Sequence, residues 1–186
     1  MLRTLIAALM IFCLPVAANA KSSEKKRAEI QKMAKETLAQ LYREAPHTRS
    51  KIKNAKGYAV FKSGGANIII ASVGKGKGLL HDNRTGKNTY MKMASAGFGL
   101  GLGVKDFRTV FVFKTSKAMD QFFKQGWDFS AQADAAAVAG SDGAEGSAAG
   151  TVMPGTDIYQ MTKNGLALQA TLQGTKYYKD KKLNKK

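Results

Sequence analysis

The 186-residue chain is predicted to adopt an α+β fold: a long, mostly antiparallel β-sheet, curved or barrel-like, with an N-terminal amphipathic helix and a short central helix. Three observations predict it. Apolar residues recur at helical spacing over residues 22–45, the period changes to two from residue 57 onward, and one short helical pattern returns at 116–125.

Residues 1–20 read as an export signal. Arg3 supplies the positive start, residues 5–16 the apolar stretch, and Ala18-Asn19-Ala20 the small-residue cleavage site. The expected mature chain begins at Lys21 and forms one domain over 21–186, periplasmic or secreted. Cys13, the only cysteine, falls inside the signal, and Ile11-Phe12 before it lacks the small residue of a lipoprotein site. The mature chain is therefore expected to contain no disulfide, thiol nucleophile or cysteine metal site.

The first mature element is a helix over 22–45, with Ser22 or Ser23 as its cap, Glu24 in its first turn and Pro46 as its stop. Ile30, Met33, Ala34, Leu38, Leu41 and Ala45 form an apolar stripe, and Lys25, Lys32, Lys35 and Arg43 gather opposite, with Glu29, Glu36 and Gln40 alongside. Two readings stay open: a helix packed on the core with a solvated back, or one lying on an anionic membrane surface. The interleaved glutamates count against a pure membrane anchor.

A β-rich body spans 55–175. Strands are expected at 57–61, 67–73, 88–93, 96–104 and 109–113, with turn chemistry at 82–87 pointing to a hairpin. In 96–104 four glycines would share one face, leaving bare backbone that something approaches closely. Helix 116–125 turns Met119, Phe122 and Phe123 inward and stops at Gly126. Further strands are expected at 127–133, 135–139, 157–161 and 166–172, with a loop at 140–150. The tail 176–186 carries six lysines, with Tyr177 and Tyr178 docking on the sheet and its last residues solvated.

Thirty Lys and Arg against thirteen Asp and Glu give a formal net charge of +17, so the partner should be a polyanion. The charge is uneven, because residues 125–162 hold five carboxylates and no basic side chain. For an exported protein, anionic phospholipid or lipopolysaccharide fits better than specific nucleic acid. Lys75 and Lys77 alternate with glycines, so on a strand they share a face and either reach toward phosphates or guard an edge. Catalysis finds no support: His47 and His81 have no partner that spacing places beside them, and HExxH, GxSxG and calcium-loop spacings are absent. The expectation is no enzyme, no cofactor and no metal.

The motif order resembles the SYLF domain family. It comprises Ala55-Lys56-Gly57-Tyr58-Ala59-Val60-Phe61, then Val73-Gly74-Lys75-Gly76-Lys77-Gly78, then Gly97-Phe98-Gly99-Leu100-Gly101. Asp106-Phe107, Val110-Phe111-Val112-Phe113, Gly165-Leu166-Ala167-Leu168 and Leu172-Gln173-Gly174 continue it to the end of the chain. Similar domains bind phosphoinositides and other acidic lipids, and a yeast member binds actin filaments. The resemblance implies lipid contact through the first helix, hence Lys25, Lys32, Lys35 and Arg43, and through basic surface residues; Lys62, Lys75 and Lys77 join the candidate lipid contacts by their own setting among the strands. Lys62 stands where many relatives have proline, which adds charge beside the strand. In an exported bacterial protein the lipid would be phosphatidylglycerol or cardiolipin, and actin is set aside. The alternatives are an envelope structural or protein-interaction domain without lipid, and a polyanion binder driven by charge alone.

Overall fold

The computed structural model describes residues 14–68, 71–98, 107–128, 154–162, 165–166 and 175–185. Within them lie three helices, α1 (Leu14–Glu44), α2 (Thr48–Asn54) and α3 (Ser116–Gln125), and the strands β1 (Gly57–Ile68), β2 (Ala71–Asp82), β3 (Lys87–Phe98) and β4 (Arg108–Phe113). The remaining described strands are β5 (Trp127–Asp128), β6 (Thr156–Thr162), β7 (Gly165–Leu166) and β8 (Thr175–Lys179). All pair antiparallel in one sheet of order β5-β8-β3-β2-β1-β4-β6-β7. The α+β expectation holds, but among the described residues the sheet stays open and the barrel does not form. Helices on both faces cover the apolar surface that closure would otherwise bury.

Alternation along the strands divides the core into two layers. Val60, Leu79, Tyr90, Val110 and Val112 face α1 and α2, meeting Ile30, Ala34, Leu41 and Ile52. Ala59, Phe61, Met91, Met93, Phe111 and Phe113 face α3, meeting Ala118, Met119 and Phe122. Because both faces are covered, the period of two expected from residue 57 onward gives way in the central strands to continuous apolar runs such as Tyr58-Ala59-Val60-Phe61.

Helix α1 presents Ile30, Ala34, Thr37 and Leu41, and Ala45 just beyond it continues the stripe, all buried, at three- and four-residue steps. It already includes Leu14, so Ser22 and Ser23 lie inside it and do not cap it. Its end is as expected: the Ala45 amide donates to the Leu41 carbonyl at 2.7 Å, and Pro46 follows. Helix α2 was not foreseen. The Thr48 hydroxyl donates to the Ala45 carbonyl at 2.6 Å. At the far end Asn83 donates to the Ile52 and Ala55 carbonyls at 2.8 and 3.0 Å, satisfying groups that a helix terminus leaves open.

The hairpin at 82–87 forms as expected, with the Gly86 amide on the Asp82 carbonyl at 2.8 Å. Segment 67–73, expected as one strand, instead contains the reversal between β1 and β2, where Ile68 pairs with Ala71. The glycine-rich 73–78 run lies wholly in β2, opposite β1. There Gly78 pairs with Phe61, and a Cβ on Gly78 would strike the Val60 carbonyl oxygen and the Phe61 ring. Gly78→Ala should therefore cost about 2 kcal/mol by overpacking. A lowered urea midpoint at constant m-value would show it; an unchanged midpoint would mean that β1 and β2 yield there easily.

Helix α3 matches its expected bounds. The Thr115 hydroxyl oxygen accepts from the Ala118 amide at 3.2 Å, and Gly126, at φ +69°, stops the helix with its amide on the Phe122 carbonyl. In the tail Tyr177 docks on the sheet as expected and Lys181, Lys182, Asn184 and Lys185 are exposed, but the segment is more ordered than expected. Thr175–Lys179 is strand β8 on β3, and the chain stays tied to the domain as far as the Lys185 carbonyl. Leu183 is buried against the α1 layer, and Asn184 and Tyr90 exchange hydrogen bonds at 2.7 and 3.0 Å. Arg27 clasps this turn, donating to the Leu183 and Lys185 carbonyls at 2.9 and 2.8 Å. The expected signal start at 1–13, the glycine face beyond Phe98, the strand segments 129–133, 135–139 and 167–172, and the loop at 140–150 lie outside the described residues. No described helix is long and apolar enough to cross a membrane.

Candidate functional site

Strand register assembles the site. Arg108 pairs with Lys62, Lys62 with Lys77, Lys77 with Lys92, and Lys92 with Tyr178. Four successive strands thus place one cation each on a single rung of the sheet, on the α1 side. Two residues back along the strands, the corresponding rung is Val110, Val60, Leu79 and Tyr90, which α1 covers. One rung further on in the other direction, Lys75 sits between Gly64 and Ala94.

Across from these cations α1 contributes Glu29, Ile30, Met33 and Glu36, enclosing a groove of about 650 Å³. Its lining joins the cations to apolar surface from Ile30, Met33, Ala94 and Tyr178. Like charges directly opposite each other across strands are destabilising, so the rung opposes sheet stability and needs another reason. Two of its members are engaged: Lys92 pairs with Asp180 at 3.2 Å, and Arg108 donates to Gln40. Lys62, Lys75 and Lys77 make no ion pair among the described residues. Asp180 is held ionised. Burial pushes its carboxyl up, but the Leu183 amide, the Lys92 ammonium and the Lys182 amide outweigh that and bring it below its ordinary value.

Of the seven basic residues singled out from the sequence, Lys62, Lys75 and Lys77 converge on this groove. Lys25, Lys32, Lys35 and Arg43 do not line it; all four are exposed on the outer surface of α1. At about 100° per residue, Lys25, Lys32 and Arg43 follow Glu29 and Glu36 around the helix, and Lys35 lies further round. The apolar stripe of α1 is spent on the core, the first of the two readings left open above. Lys92 and Arg108 were missed. The signal for Lys92 was present, because a hairpin that pairs Asp82 with Lys87 necessarily sets Lys77 opposite Lys92.

The histidines stand apart from the groove. His47 is exposed, while His81 Nδ1 lies 2.7 Å from Asn88 Oδ1, with its ring 5.0 Å from that of Tyr58. Among the described residues no cluster of His, Cys, Asp and Glu could hold a metal ion.

The family model described as Ysc84, Las17-binding protein actin regulator, matches residues 94–186, half of the chain. The chain belongs to the SYLF (Ysc84) family. A second likeness extends further toward the N-terminus: the chain is 36% identical over 165 residues to Beta cell expansion factor A of Aeromonas veronii. That alignment covers 89% of this chain and 61% of the relative, so the chain spans about three fifths of the relative's length. Within the SYLF match fall Arg108, helix α3, β8 and the clasped tail, whereas Lys62, Lys75, Lys77 and Lys92 precede it.

Proposed function

We propose that this SYLF chain is a non-enzymatic, exported module that binds acidic phospholipid surfaces, phosphatidylglycerol or cardiolipin, or the phosphates of lipopolysaccharide. The observation that carries the reading is the rung Arg108–Lys62–Lys77–Lys92, a line of like charges set beside apolar groove wall. Each lysine near an anionic surface contributes about 1 kcal/mol, fading within a Debye length of about 8–10 Å. Lys62, Lys75 and Lys77, which make no ion pair among the described residues, together contribute about 3 kcal/mol to reversible attachment, and the helix cations add to it. Because the apolar stripe of α1 is buried, the helix contributes charge from Lys25, Lys32, Lys35 and Arg43 and not an inserted face.

The test is co-sedimentation with neutral vesicles and with vesicles containing phosphatidylglycerol or cardiolipin, at low and physiological salt. Binding to the acidic vesicles only, weakened at least tenfold in Lys62→Gln/Lys75→Gln/Lys77→Gln, is expected. A parallel variant with Lys25, Lys32, Lys35 and Arg43 changed to glutamine measures the share of the helix surface. Absence of binding to every vesicle overturns the reading. A salt-resistant protein partner in that case would favour the envelope interaction domain, and equal, salt-labile binding to DNA and vesicles would favour charge alone.

A further inference from the structure

We propose that the groove between α1 and the sheet accepts one single-chain phosphomonoester lipid, its phosphate on Lys62 and Lys77 and its chain against Ile30, Met33 and Ala94. The inference rests on the acidic-lipid reading and adds that a whole molecule enters the protein, beyond contact with a membrane plane.

Three observations carry it. The first is the wall. A flat bilayer can meet the exposed lysines at the mouth, but the rung also lies opposite Glu29, Met33 and Glu36 of α1, across a groove deep enough for a single molecule to enter. The second is the charge pattern. Strands lie about 4.8 Å apart, so the neighbouring Lys62 and Lys77 can share one phosphate. Arg108 and Lys92 flank them, already engaged by Gln40 and Asp180. A phosphomonoester carries about −1.5 to −2 charges near neutrality, matching two ammonium groups without an ion pair among the described residues better than a single carboxylate does. Glu29 and Glu36 on the facing wall repel longer polyanions and so restrict the charge to one head group. The third is size. At about 30 Å³ for each water-sized group, 650 Å³ holds roughly twenty, room for the phosphate and most of one chain and too few for the two chains of an intact bilayer lipid. Ligand sites of this volume fall within the usual span of about 300–1,000 Å³.

The experiment titrates oleoyl lysophosphatidate, below the concentration at which it forms micelles, into the full chain, with native mass spectrometry for stoichiometry and calorimetry for affinity. Saturable one-to-one binding is expected. It should weaken at least tenfold in Lys62→Gln/Lys77→Gln and at least tenfold when glycerol phosphate or monooleoylglycerol replaces the probe. Met33→Trp, which fills the groove without changing charge, should abolish lysolipid binding and leave binding to phosphatidylglycerol vesicles in place. Ala94→Leu narrows the groove from the sheet side and replaces Met33→Trp if the latter melts early. Unsaturable uptake, equal affinity for glycerol phosphate, or unchanged lysolipid binding in both groove-filling variants overturns the proposal. Vesicle binding measured beside it separates the two readings. Vesicles bound without a lysolipid site leave only the surface reading standing, and a lysolipid site without vesicle binding leaves only the groove.

Discussion

Phe122→Ala is expected to lower stability by about 3–5 kcal/mol, the largest single effect anticipated in this fold. The ring is fully buried and stands 5.2 Å from Phe111, 5.1 Å from Phe113, 5.8 Å from Tyr177 and 6.2 Å from Phe61. It is the main side chain by which α3 meets a sheet face drawn from β1, β4 and β8. Truncation removes its transfer free energy and leaves a void that rigid aromatic neighbours cannot collapse to fill. Against a typical total of about 5–15 kcal/mol, that loss brings a domain close to its unfolding threshold. Urea denaturation with α3-specific hydrogen exchange is the measurement. Early exchange of α3 amides together with a sharply lowered midpoint is expected, and a loss below about 1 kcal/mol would mean that α3 does not bear on this face.

Asp180→Asn should destabilise the chain by about 2–3 kcal/mol at neutral pH, with the difference closing in acid. The carboxylate, 6% exposed, accepts from the Lys182 and Leu183 amides at 2.9 and 3.2 Å and pairs with Lys92 at 3.2 Å. It thereby forms the turn that puts Leu183 into the core and brings the Leu183 and Lys185 carbonyls to Arg27. The sign follows from linkage. A carboxyl whose folded value lies below the ordinary one, about 3.9, contributes stability that is fully present above that value and is lost as pH falls through the folded value. Thermal melts of the parent and the variant should diverge most above pH 5 and converge below pH 4. A gap independent of pH would assign the loss to shape and not to charge.

The elements legible in the sequence are those whose boundaries are written by local chemistry. Helix 116–125 has Thr115 before it and Gly126 after it, and the 82–87 hairpin carries Asp82, Asn83 and Gly86. Segments without such punctuation were misread. Asn67-Ile68-Ile69-Ile70-Ala71 has no glycine or proline, so nothing in it announces the reversal between β1 and β2. Helix α2 buries only Thr48 and Ile52 across seven residues, too few to establish a period. In the tail, the lysines around Tyr177 mask a strand whose burial depends on partners far away in sequence, β3 and α3. For the groove the same division applies. Lys62, Lys75 and Lys77 were legible one at a time from their setting among strand residues. Their convergence with Lys92, Arg108 and the α1 wall requires register, which sequence periodicity alone does not supply.

That each cation of the rung belongs to a different strand also bears on how faithfully the chain folds. A slip of one residue in the β1–β2 or β2–β3 hairpin would turn Lys62, Lys77 or Lys92 through the sheet toward Phe61, Phe111 and Phe122. An ammonium stranded among phenyl rings is penalised far more heavily than the loss of one cross-strand contact. Mispaired hairpins therefore fail to consolidate, and the cations of the rung act as sentries over the assembly of the sheet. Neutralising them relaxes the repulsion between neighbouring strands and removes that sentry in the same stroke.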